Sequence, residues 1–397
     1  MAVIRLIVTR CWRKVGMGLG GCRKMWNRRP GWYVFGVAQI CNLLHRGIAF
    51  CGTSTLRRAS GAGCFVIVLS CLQPRASAGE LRSIGNIFKP LSAPAESVYE
   101  VSLLALLICA AIFLVVAGLL TVAIIKFRAR PGDEGKEPPQ IYGSNQLELA
   151  WTVIPILIVV VLVLVTARTI ADVQNQKLPG DALKVRVVGH QWWWEIHYPD
   201  HGVVSANELH IPLSARNQRR PTSLTLESAD VIHSFWVPQL AGKTDVIPNR
   251  RNTMWVEPYA PGTYLGNCAE YCGVQHAKMM LRVVVESPEE FASWIAAQQA
   301  PAVEDPSVRA GRELFMKTSC VNCHRVAGTA AVGIFGPDLT RLMSRETIAS
   351  GAARNTPENL RAWMRDPQTI KPGCLMPNMQ LTQDEVTRIV AYLQTLK

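Results

Sequence analysis

The stretch CAEYCGVQHAKM, Cys268–Met279, places two thiols, an imidazole and a thioether at i, i+4, i+8 and i+11. A packed core has no use for that collection, whereas a soft metal site needs all of it. Thiolates and imidazoles suit copper and zinc, and a thioether favours copper. Zinc modules usually follow one close cysteine pair with a second. Here the second half is a histidine and a methionine, which points away from zinc. A further ligand lies upstream in ADVIHSFWVPQL, where His233 sits at a predicted strand end. The sequence between and around these segments, residues 181–286, reads as β structure. Part of LKVRVVGHQWWWEIHY alternates, and short apolar runs recur at Leu224–Leu226, Met254–Val256 and Leu281–Val285, separated by Pro, Gly and Asn. That pattern predicts a small Greek-key barrel or sandwich.

The rest of the 397 residues is built around this domain. The net charge of +13 would suggest an anionic partner, but it is unevenly placed. Residues 1–100 hold 14 basic against 3 acidic residues, whereas residues 171–397 hold 23 against 22. The basic excess belongs to the leader, so a general nucleic-acid patch is not expected. Of 12 cysteines, Cys11, Cys22, Cys41, Cys51, Cys64, Cys71 and Cys109 precede the β region and read as leader or membrane residues without chemistry. The remaining five contain two close pairs, which points to cofactors rather than a disulfide framework.

Residues 57–80, RRASGAGCFVIVLSCLQPRASAGE, carry a positive lead, a short apolar run and a small-residue site at Ala76-Ser77-Ala78. This is a secretory signal pattern with cleavage expected before Gly79. Because it begins so far into the chain, part of residues 1–50 is expected to be missing from the mature protein. Two charge-free apolar runs follow, Val101–Ile125 and Leu149–Ala167, each long enough to cross a bilayer as a helix. Pro155 is expected in the first turns of the second helix, where its missing amide matters least. Lys126, Arg128 and Arg130 directly after the first run place the connecting loop in the cytoplasm. Everything after residue 170 is then exported.

Beyond the β region, Phe291–Gln299 reads as one amphipathic helix and APAVEDPS as a linker. From Arg309 to Lys397 the pattern is helical, with turns at FGPDL and KPGCLMPN. CVNCH, Cys320–His324, is a c-type haem attachment motif. The two thiols add to haem and His324 takes the iron. A methionine as sixth ligand raises the potential; Met376 is the first choice and Met379 the second, with Met343 and Met364 read as core.

Taken together, these motifs resemble the cytochrome c oxidase subunit II family. The family pattern His-Ser-Phe/Trp followed by Cys-x-Glu-x-Cys-Gly-x-x-His-x-x-Met is matched by His233-Ser234-Phe235 and by Cys268, Glu270, Cys272, Gly273, His276 and Met279. The resemblance implies a cupredoxin-like barrel holding a dinuclear copper centre, CuA. Cys268 and Cys272 would bridge the metals, His233 and His276 would each take one, and Met279 and the Glu270 carbonyl would be weaker ligands. The Glu270 side chain would bind magnesium at the boundary with the catalytic subunit. GHQWWWEIHY resembles the family's aromatic stretch, with Trp193 replacing the usual Tyr or Phe. Trp192 then matches the surface residue through which electrons enter. LELAWTVIP resembles the start of the second membrane span, with Glu148 at the mouth of a proton path. The haem segment resembles the cytochrome c domain fused to subunit II in caa-type oxidases, through GPDLTRLMSRETIASG, NTPENLRAWMRDP and KPGCLMP; Cys374 is a departure.

The expected fold is multidomain: two transmembrane helices forming a hairpin, a cupredoxin-like Greek-key β-barrel, and an all-α class I cytochrome c domain. The expected limits are 1–78 leader and signal, 79–171 membrane hairpin, 172–287 CuA domain, 288–304 helix and linker, and 305–397 cytochrome c domain. The resemblance implies a subunit of a proton-pumping oxidase in a bacterial inner membrane. Its partners would be catalytic subunit I, subunit III and an electron donor, either a cytochrome c or an upstream respiratory complex. A linker of roughly ten residues would hold the haem domain at about millimolar effective concentration near copper. A quinol oxidase subunit would lack the copper ligands, a copper delivery protein would not need covalent haem, and a nitrous-oxide reductase would lack these spans.

Overall fold

The computed structural model describes residues 85–397 except 129, 130, 133, 134, 136, 138, 139, 141, 215–218 and 301–304. The expected leader, signal and cleavage site, and residues 301–304 of the expected linker, lie outside the described residues.

Helix α1 spans Ala93–Lys126 and α2 spans Asn145–Gln174. At 34 residues, α1 is roughly 51 Å long, well beyond a ~30 Å hydrocarbon core. Leu107, Phe113, Leu119 and Ile125 lie bare on its surface, and α2 buries no residue at all. Such faces are satisfied by lipid, because the helix bonds its own backbone internally. Both outer ends meet the β-domain. The Ser92 hydroxyl accepts from the Glu257 amide at 2.8 Å, and the Trp255 indole donates to the Val173 carbonyl at 2.8 Å. The pair is therefore an antiparallel hairpin. Pro155 differs from expectation: α2 begins at Asn145, ahead of the apolar run, so the proline lies inside the helix. There it removes an interior hydrogen bond.

The β-domain contains ten strands in two sheets among the described residues. They are β1 Leu183–His190, β2 Trp193–Tyr198, β3 Val203–Ala206, β4 Glu208–Pro212, β5 Thr222–Ser228, β6 His233–Trp236, β7 Thr244–Val246, β8 Asn252–Val256, β9 Gly262–Cys268 and β10 Met280–Glu286. One sheet runs β3-β2-β1-β5-β8 and the other β4-β10-β9-β6-β7. Parallel pairing of β1 with β5 and of β4 with β10 marks crossovers between the sheets. The result is a two-sheet sandwich, or half-barrel, around one core. Leu224 and Leu226 point inward while Ser223 and Thr225 do not, the two-residue period of a strand with one buried face. Trp194, Tyr198, Leu209, Phe235 and Leu281 fill the space between the sheets.

Helix α3, Pro288–Gln299, starts at a capping box in which Ser287 and Glu290 satisfy each other's amides. It buries Phe291 and Ile295 against the sandwich. The haem-type domain follows with α4 Arg309–Lys317, α5 Cys320–Cys323, α6 Pro357–Arg365, α7 Pro367–Ile370 and α8 Gln383–Leu393. Phe315, Leu360, Val386, Ile389 and Leu393 form its core. The region expected to be helical to its end is interrupted by a small hairpin, β11 Thr347–Ile348 with β12 Ala353–Arg354. Ala349 and Ser350 in its turn adopt positive φ, which no helix allows.

Candidate functional site

Strand register gathers the sulfur and nitrogen groups at one end of the second sheet. Phe235 on β6 pairs with Cys268 on β9, so His233 lies just beyond the thiol. The Cys268 amide donates to the Met279 carbonyl at 2.9 Å, closing the loop that carries Cys272 and His276. The two sulfurs are 3.7 Å apart. His233 Nδ1 lies 3.9 Å from Cys268 Sγ and His276 Nδ1 lies 3.7 Å from Cys272 Sγ. Met279 Sδ is 3.8 Å from Cys272 Sγ, and the Glu270 carbonyl oxygen is 3.1 Å from Cys268 Sγ. Two central sulfurs, each faced by one imidazole nitrogen, fit a pair of soft metal ions bridged by thiolates.

Neighbouring groups fix the ligand atoms. His233 is fully buried, and its Nε2–H donates to Asp230 Oδ1 at 2.8 Å, which leaves Nδ1 free to face sulfur. Gln191 Nε2 and Trp192 Nε1 both donate to the Cys272 carbonyl, at 2.8 and 2.9 Å. Gly273 has φ +119, and a Cβ there would come 2.9 Å from the Trp192 ring. No side chain suits that position. The hydrogen bond shared with Cys272 lowers the Cys268 thiol, against burial and with help from His233. The hydrogen bond to Cys268 and burial in turn push Cys272 up. A second thiolate in this place therefore calls for a cation beside it.

The helical domain encloses a cavity of about 430 Å³ whose walls include Cys320, Cys323, His324 and Met376. That is the size range of a cofactor site. His324 Nδ1–H donates to the Pro337 carbonyl at 2.8 Å, which turns Nε2 away from it and sets the tautomer. Burial lowers the His324 pKa, favouring the neutral imidazole that binds iron. Gln368 Nε2 donates to the carbonyls of Cys374 and Met376, each at 3.1 Å, and so pins the loop carrying that methionine. The donor set fits a covalently held haem with histidine and methionine axial groups. Met379 also lines the cavity, and the buried Met364 contributes both to its wall and to the core.

Trp192 differs from the expectation of a surface residue. It is 8% exposed, packed in the core of the sandwich, and both Trp192 and Trp193 line the cavity. Glu270 and its neighbour Tyr271 face outward, and the Glu270 carboxylate accepts from the Tyr271 amide at 3.2 Å. Glu148 lies exposed in the first turn of α2, far in sequence from these sites. Sequence reasoning missed Asp230, Gln191 and Gln368. Asp230 had a signal, since it stands three residues before His233; the others act through folding alone.

The family model described as "Cytochrome C oxidase subunit II, transmembrane domain" matches residues 84–168. That for the periplasmic domain of the same subunit matches residues 183–287, and the cytochrome c model matches residues 308–397. The cytochrome c oxidase subunit 2 of Alkalihalophilus pseudofirmus is 35% identical over 316 residues, covering 78% of this chain and 90% of that one. The subunit 2 of Bacillus subtilis is 31% identical over 352 residues, covering 84% of this chain and 97% of that one. Among solved structures, the periplasmic domain of subunit II of the Bradyrhizobium japonicum cytochrome oxidase is similar at 29% identity and TM-score 0.29, covering 31% of this chain and 97% of that one.

Proposed function

The chain belongs to the cytochrome c oxidase subunit II family and is an electron-transfer subunit of a terminal oxidase; we propose that electrons reach it at the C-terminal haem domain. From there they pass to the β-domain metal centre and on to the catalytic subunit I, where oxygen is reduced to water and protons are pumped. His233, Cys268, Cys272, His276, Met279 and the Glu270 carbonyl would hold a dinuclear copper at the metal centre. Cys320, Cys323, His324 and Met376 would hold haem c. The observation that carries this reading is the ligand cluster itself, two sulfurs and two imidazole nitrogens with no neighbouring separation above 3.9 Å.

When bound, a copper pair would share one electron between its two ions, and haem c would supply a one-electron carrier. The chain's own residues keep the ligands still. Asp230 orients His233, Gln191 and Trp192 hold the Cys272 carbonyl, and strand pairing anchors Cys268 and Met279. Little atomic movement on electron transfer means a low barrier at small driving force. Gln191 and Trp192, both hydrogen-bonded to the Cys272 carbonyl and both lining the haem cavity, lie between the two sites.

The finer setting is also part of this reading. The chain crosses a bacterial inner membrane twice through α1 and α2, with the β and haem domains on the periplasmic face. Subunit III and a cytochrome c or upstream respiratory complex are further partners. The Glu270 side chain contributes to a magnesium site at the boundary with subunit I, and Glu148 stands at the mouth of a proton path. A spectrum of the purified oxidase tests the ligand assignment. A Cys272→Ser variant loses the near-infrared copper band and keeps the reduced haem c bands; survival of both overturns the assignment.

A further inference from the structure

Lys371 is 3% exposed, although it bears an amine. Burying a charge without a carboxylate is costly, and burial pushes this ammonium down to about 7. Its Nζ donates to two backbone carbonyls, Trp192 in the β-domain at 2.7 Å and Ala349 in the haem domain at 3.2 Å. The side chain therefore bridges the domains at the residue whose indole holds Cys272. The loop that follows Lys371 leads to Met376. It lies on the metal-ligand loop, with Gln275 donating to the Pro372 carbonyl and Lys278 to the Ile370 carbonyl at 2.9 Å. Gly373 has φ +86, and a Cβ there would meet Val274 at 3.1 Å. The loop bearing the haem methionine thus rests directly on the loop bearing the copper ligands.

A second contact lies across the same boundary. Glu208, 2% exposed, accepts from the amides of Glu346 and Thr347 and from the Thr347 hydroxyl, at 3.0, 2.9 and 2.9 Å. Its strand partner Arg282 is also buried and pairs with Glu346. Ser350 and Met280 exchange two further hydrogen bonds, at 2.8 and 3.2 Å. Buried charged groups matched to polar groups across a boundary specify one orientation. A flexible tether alone would give many.

Resting on the electron path above, we propose that Lys371 and Glu208 are positioning residues that seat the haem domain in one orientation on the β-domain. Transfer to the metal centre then proceeds from this seated state rather than from repeated encounter. Tethering sets only the local concentration, whereas these two anchors set the geometry.

The test uses the purified oxidase with Lys371→Met, with Glu208→Gln, and with both. Two signals are read: the rate of haem c to copper transfer after photoreduction, and hydrogen exchange at the Thr347 amide, which Glu208 protects. In the wild type the rate is independent of solvent viscosity and the amide exchanges slowly. Losing both anchors is expected to slow transfer by roughly tenfold or more, to make it viscosity-dependent, and to release the Thr347 amide. Haem and copper spectra stay unchanged. Either single variant moves the same signals in the same direction, so loss of cofactor from one leaves the other decisive. Wild-type rates, viscosity independence and amide protection in the double variant overturn the proposal. Absence of haem-to-copper transfer in the wild type overturns the electron path instead.

Discussion

Removing the Asp230 carboxylate is expected to loosen the metal without disturbing the haem. Asp230 accepts three hydrogen bonds: His233 Nε2 at 2.8 Å and the Val231 amide at 2.6 Å on Oδ1, and the Gln191 amide at 2.6 Å on Oδ2. Asp230→Asn keeps one oxygen. The best rotamer leaves that oxygen to His233 and Val231 and turns an NH2 group toward the Gln191 amide, donor against donor. An unsatisfied amide of this kind costs about 1–3 kcal/mol. Asp230→Ala loses all three bonds and frees the His233 ring to turn. Loss of a carboxylate behind a metal-bound histidine typically lowers metal affinity by about 10–100-fold, equivalent to about 1.4–2.8 kcal/mol. Competition with a copper chelator, followed by the near-infrared band, measures this directly. The expected order of copper retention is wild type, then Asp230→Asn, then Asp230→Ala, with haem content equal in all three. An alanine variant that holds copper as tightly as the wild type would refute the role assigned to Asp230.

Other expectations concern the haem, the outer sheet face and α3. Met376→His is expected to lower the haem potential while the haem stays covalently attached, whereas Met379→Ala leaves the potential unchanged; a redox titration separates them. Burial would raise the Glu195 carboxyl, but hydrogen bonds and charges from His190 and His197 outweigh it and hold it at about 2. Its folded pKa is below the ordinary value of about 4.3, so its stabilisation is complete above that pH and is lost as pH falls toward 2. Thermal midpoints across that window are expected to fall less steeply in Glu195→Gln. Ser287→Ala removes one side of the α3 capping box and is expected to cost about 1 kcal/mol, read as faster hydrogen exchange in α3.

The metal loop was legible because its ligands are local: four of the sulfur and nitrogen donors fall within twelve residues, and Cys-x-x-Cys-His is contiguous. The apolar run Leu224–Leu226 lies inside β5, but α3 begins at Pro288, three residues before the expected Phe291, because the Ser287–Glu290 capping box extends it through polar residues that carry no apolar period. Pro155 was misplaced because polar residues ahead of the apolar run extend α2 backward, so the hydrophobic run does not mark where the helix begins. Trp192 was expected at the surface from its family position alone; its burial involves the sandwich core and groups as distant in sequence as Lys371, which no local pattern reveals. Lys371 and Trp192 are 179 residues apart, and nothing in the composition around Lys371 distinguishes it from a solvated lysine. Glu208 is equally unremarkable in sequence, since its partners lie 138 and 139 residues away.

Electron paramagnetic resonance of the oxidised, purified oxidase bears most directly on the ligand cluster around Cys268 and Cys272. A hyperfine pattern from one unpaired electron shared equally by two copper nuclei, abolished in Cys272→Ser, is the predicted result. The pattern of a single isolated copper at this loop, or zinc in its place by metal analysis, would contradict it.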